Sequence, residues 1–86
     1  MAKYKITIKK SAAKELEVIP KKDLLKIVKR IQSLAQNPRP QGSQKLSGIN
    51  HLRIRQGDYR VVYYVDDKDG IVDVVKIGHR REIYRS

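Results

Sequence analysis

The chain has 86 residues, no cysteine, two histidines and a formal net charge of +11, from 20 Lys and Arg against 9 Asp and Glu. That length predicts one domain, residues 1–86, with a single modest core. The absence of cysteine excludes disulfides and thiolate metal sites, and two histidines are too few for a histidine-built metal centre, so neither metal nor cofactor is expected.

The positive balance points to a polyanionic partner, nucleic acid ahead of an anionic membrane surface. No stretch has the apolar run of a signal peptide or the length to span a bilayer, so the expected location is the cytoplasm.

Tyr4, Ile6 and Ile8 alternate with Lys3, Lys5, Thr7 and Lys9, which predicts a half-buried strand over residues 3–9. Its lysines either blunt a sheet edge or contact RNA, and the first is the simpler reading. Ser11 is the expected N-cap of a short helix with Ala12, Leu16 and Ile19 on one face, ended by Pro20. Lys21-Lys22-Asp23 opens a longer helix. There Leu24, Ile27, Val28, Ile31, Leu34 and Ala35 form the apolar stripe, and Lys26, Lys29 and Arg30 lie on the other face. Asn37-Pro38 is the expected stop, and residues 37–44 read as a loop returning from helices to sheet.

Leu52 and Ile54 then alternate with Arg53 and Arg55, so a strand here puts both arginines on one face and the aliphatics behind them. Gln56-Gly57-Asp58 is a turn signal, and Arg60 to Val65 reads as the returning strand of a hairpin. Residues 66–70 are a polar turn; their aspartates lack the spacing and closing glutamate of a calcium loop. Residues 71–77 form a final, largely buried strand leading into Gly78-His79-Arg80-Arg81. The order is β-α-α-β-β-β, an α+β fold. Its helices cover one face of a mainly antiparallel sheet, and the open face is cationic.

The residues left to carry chemistry are Arg53, Arg55, Arg60, His79, Arg80, Arg81 and Tyr84. Arginine grips phosphate through a planar fork of donors, and several around one phosphate stabilise a pentacovalent transition state. RNA carries its own nucleophile, the 2′-hydroxyl. A metal-free ribonuclease then needs only alignment, charge stabilisation and proton transfer. Tyr84 and His79 are the candidates for proton transfer, although Tyr84 packed on the sheet and His79 satisfied in a loop are the plainer alternatives. His51 reads as a turn residue.

Four motifs in order, Lys45-Leu46-Ser47-Gly48, Leu52-Arg53-Ile54-Arg55, Asp58-Tyr59-Arg60-Val61-Val62-Tyr63 and Ile77-Gly78-His79-Arg80-Arg81-Glu82-Ile83-Tyr84, resemble the RelE/ParE toxin superfamily of type II toxin–antitoxin systems. The resemblance spans essentially the whole chain and leans to the RelE branch. It implies a RelE-like fold and a ribosome-dependent endoribonuclease that cleaves mRNA in the A site by 2′-hydroxyl attack. It also implies partners: mRNA on the ribosome with its 30S rRNA, and a cognate antitoxin in a hetero-oligomer. By motif, Arg60 and Arg80 would stabilise the phosphate, Tyr84 would transfer a proton and His79 would share that role. Lys45, Arg53, Arg55 and Arg81 would bind substrate. Arg53 and Arg55 fall where members commonly carry lysine, so binding and charge stabilisation are their expected roles. The alternatives are a ParE-like gyrase inhibitor and an inactive nucleic-acid-binding module of the same fold.

Overall fold

The computed structural model describes residues 3–46, 48 and 50–79. Strand β1 (Lys5–Ile8) runs directly into helix α1 (Lys10–Glu17), followed by α2 (Lys21–Ser33). Four strands complete the domain: β2 (Gln44–Lys45), β3 (Leu52–Gln56), β4 (Tyr59–Asp66) and β5 (Ile71–His79). The sheet order is β1-β5-β4-β3-β2. β1 is parallel to β5, and the other pairings are antiparallel. The class is α+β as expected, but the sheet has four strands after the helices rather than three. The extra one is β2, a two-residue pairing of Gln44 with Arg53 and Lys45 with Leu52. Gln44 therefore leaves the expected 37–44 loop. Two residues carry too little alternation to mark a strand, and the pairing depends on its partner β3 rather than on local propensity.

The N-cap expected at Ser11 is corrected to Lys9, and Ser11 lies inside α1. The sheet, not a side chain, starts this helix. The Lys9 N–H donates to the Val74 carbonyl at 2.8 Å, closing the strand register, and its own carbonyl accepts from Ala13 N–H at 2.9 Å as the first helical bond. The first helix ends at Glu17, with Val18 as its C-cap, before the expected stop at Pro20, which instead caps the second helix, its carbonyl accepting from Leu24 N–H. Helix α2 stops at Ser33, four residues before Asn37, and residues 34–36 form a turn. The core-facing stripe of α2 is as expected: Ile27, Ile31 and Leu34 are buried, while Leu24, Val28 and Ala35 are partly so. They meet Ile54, Val61, Tyr63, Val65, Val72, Val74 and Ile77 of the sheet, joined by Ala12 and Ile19. Each fully buried aliphatic contributes about 1.5–3 kcal/mol.

Two features place the site. Gly57, at φ 61°, and Asp58 link β3 to β4. Glycine at the first position of a two-residue loop is the pattern of a type II′ turn, whose twist suits a hairpin. In β5, Val62 pairs with Lys76 but Tyr63 pairs with Val74, so Val75 is an extra, bulged residue. The bulge keeps Val72, Val74 and Ile77 all on the core face and leaves Lys76 on the opposite one.

Candidate functional site

Register and alternation fix which side chains share the face away from the helices. Ile54 pairs with Val61, and Val61 with Ile77, all buried in the core. Their strand neighbours therefore point the other way. One rung holds Arg55, Arg60 and Gly78, and the next holds Arg53, Val62 and Lys76. With strands about 4.8 Å apart and alternate residues about 7 Å apart, the four cations rise from an area roughly 10 by 7 Å. Directly opposed like charges, as at Arg55 and Arg60, work against sheet stability. The arrangement is unfavourable for the fold and favourable for an anion.

Arg60 differs from the exposed cation that the hairpin pattern suggests: it is 2% exposed. It occupies the part of β4 that is paired with both β3 and β5. Burial sets this guanidinium in a low-dielectric setting, where a charge acts more strongly than in water. Gly78, which pairs with Arg60, carries no side chain. Arg53 is half-buried and donates to Gln44 Oε1 of the outer strand β2. Arg55 is exposed. Lys76 escaped the sequence reading because a single lysine within a valine–isoleucine run looks like one turned-out residue of a buried strand. Only the cross-strand register places it with Arg53.

The remaining expected residues separate. His79 ends β5 opposite Tyr59, with ring centroids 5.7 Å apart in an edge-on arrangement. Tyr59 packs against the core, so His79 shares the helix side of the sheet, not the face of Arg60. It belongs to a strand rather than a loop. Lys45 pairs with Leu52 and so also lies on the helix side of the sheet edge. Arg80, Arg81 and Tyr84 lie outside the described residues. His51, read as a turn residue, has its ring 6.0 Å from that of Tyr64.

The loop after α2 is tied to the sheet by polar contacts. Buried Tyr63 donates its hydroxyl to the Pro38 carbonyl at 2.6 Å, and burial pushes its pKa up. Arg39 grips Asp67 with two nitrogens, at 3.1 and 2.8 Å, and Tyr4 donates to the same carboxylate at 2.7 Å. The Arg39 hydrogen bonds, then that from Tyr4, hold the Asp67 pKa down at about 2. Asp66 accepts from the Asp69 N–H at 3.0 Å, so one carboxylate of the acidic turn is used within the turn and that of Asp67 outside it. Among the described residues no helix is long and apolar enough to cross a membrane.

Residues 6–84 match the family model described as the ParE toxin of type II toxin–antitoxin systems. The chain is 33% identical over 84 residues to Toxin RelE of Mycobacterium tuberculosis, covering 95% of this chain and 87% of that protein. It is 32% identical over 88 residues to putative toxin RelE1 of Methanocaldococcus jannaschii, covering 98% of each. The fold superposes on the archaeal RelE–RelB complex structure from Pyrococcus horikoshii with a TM-score of 0.82 at 31% identity, covering 91% of this chain and 96% of that one. Sequence and fold agree: the chain belongs to the RelE/ParE superfamily of type II toxin–antitoxin toxins.

Proposed function

We propose that this chain is the toxin of a type II pair and acts as a metal-independent endoribonuclease, cutting mRNA in the ribosomal A site. The observation that carries the reading is Arg60, a buried and permanently charged guanidinium beside Arg55, with Arg53 and Lys76 one rung away. A gyrase inhibitor has no need of a fixed cation at the centre of a sheet; phosphoryl transfer does.

In the proposed step the RNA 2′-oxygen forms a bond to the adjacent phosphorus as the bond to the 5′-oxygen breaks. The proton lost by the 2′-hydroxyl is balanced by one gained at the leaving oxygen. The products are a 2′,3′-cyclic phosphate and a 5′-hydroxyl. Arg60 stabilises the added charge, and Arg53, Arg55 and Lys76 hold flanking phosphates. Gly78 of β5 pairs with Arg60, and Arg80 follows two positions later in the sequence. Arg80 is assigned to the phosphate, Tyr84 to proton transfer and Arg81 to binding. His79, on the opposite side of the sheet from Arg60, takes a lesser part. A ribosome would supply alignment that a flat cationic face lacks.

The partner that silences the toxin is proposed to be an antitoxin segment, as in the RelE–RelB complexes that the fold resembles. The test of function is 5′-end mapping of a translated message and its untranslated twin after induction. Cuts confined to the translated message and lost in Arg80→Ala support the nuclease. The ParE description of the family model favours one other reading, inhibition of gyrase. Growth arrest with both messages intact and gyrase-dependent DNA breaks would establish it.

A further inference from the structure

A pocket of 130 Å³ opens at the β2 corner of the sheet, lined by Arg39, Lys45, Asn50, His51, Leu52 and Val65. Leu52 and Val65 supply apolar lining, and the other four supply hydrogen-bond donors. Arg39 is held by Asp67 through two of its nitrogens, which fixes the side chain and leaves further N–H groups on the guanidinium. Lys45 makes no salt bridge among the described residues. The His51 Nδ1 atom is buried and has no hydrogen-bond partner among them. That atom is closed to solvent, so the donor His51 can offer a ligand is its other ring nitrogen. The volume is about four times what a water molecule takes in the liquid, enough for one tetrahedral oxyanion.

We propose that this pocket is an oxyanion subsite that takes one backbone phosphate of the RNA strand lying on the arginine face. The proposal rests on the RNA reading above. The link between the two sites is β2. Arg53 donates to Gln44 on the open face, and Lys45, the next residue, points to the other face of the same strand. β2 is the outermost strand and only two residues long. A chain that crosses Arg60, Arg53 and Gln44 therefore reaches Lys45 by turning around one short edge. From β4 to β2 is two strand spacings, about 10 Å, a distance that successive phosphates of one strand can follow.

The test uses the full chain and uncleavable 2′-O-methyl oligonucleotides of two and eight nucleotides, with affinity measured by fluorescence anisotropy over a series of salt concentrations. Asn50→Asp sets a carboxylate in the pocket at an exposed position, and His51→Ala removes the imidazole donor; melting curves confirm that each folds. Both variants are expected to weaken the eight-nucleotide probe about tenfold. Each is expected to flatten its log–log salt slope by about 0.7, the loss of one single-strand phosphate contact. The dinucleotide should stay within twofold. If wild type binds both probes and neither variant changes the slope, the subsite is wrong and the arginine face stands. If wild type binds neither probe, the RNA reading and the subsite fail together. Inorganic phosphate that shifts the His51 ring resonances, with RNA affinity unaffected by either variant, would overturn the RNA assignment and give the pocket to another anion.

Discussion

Arg60 lies at 2% exposure on a stretch of β4 that is paired with both neighbouring strands, which fixes its backbone. Preorganised charge of this kind acts on the transition state without reorganisation. Arg60→Ala is expected to slow single-turnover cleavage of A-site mRNA by about 10²–10³. Arg60→Lys should recover little of it, because a point charge lacks the planar fork. Rates measured alongside melting curves separate lost chemistry from lost fold. Tyr63 works at the same scale for stability. Tyr63→Phe removes the hydrogen bond to the Pro38 carbonyl and should cost about 1 kcal/mol in urea unfolding. The burial of Arg60 was not legible in the sequence. Alternation assigns a face but not the depth at which a side chain sits, and Arg53, Arg55 and Arg60 read alike there although only Arg60 is buried.

The β3–β4 hairpin was legible because several signals coincide: two-residue periodicity, a Gly-Asp turn and a β-branched return strand. The α2 stripe was legible for the same reason at helical period, down to Ile27, Ile31 and Leu34. Where an element depends on distant partners, local signals mislead. Ser11 looks like a cap, but the strand-to-helix junction at Lys9 is set by Val74 across the sheet. The bulge at Val75, which turns Lys76 outward, leaves no mark in a run of apolar residues. Gly57→Ala tests the hairpin. At φ 61° a Cβ is strained, and a loss of about 1–2 kcal/mol is expected in urea unfolding. Ile27→Ala tests the helix–sheet core, with an expected loss of about 2–5 kcal/mol.

Across the molecule, charge governs both stability and recognition. The Asp67 carboxyl, gripped by Arg39 and Tyr4, has its folded pKa lowered from 3.8 to about 2. A depressed folded pKa means that its stabilisation is present above about 4 and is lost as pH falls toward 2. Wild type should therefore lose stability across that window more steeply than Asp67→Asn, as thermal melts at stepped pH would show. On the proposed reading, the net charge of +11 would draw RNA without selecting a sequence, and the ribosome would supply the alignment. The most direct test of the central claim is single-turnover cleavage of an mRNA in the A site of purified programmed ribosomes, with the scissile nucleotide either ribose or 2′-deoxyribose. The account predicts a 2′,3′-cyclic phosphate product from the ribose message and no cut in the deoxy one. Equal cleavage of both messages, or of neither, would contradict it.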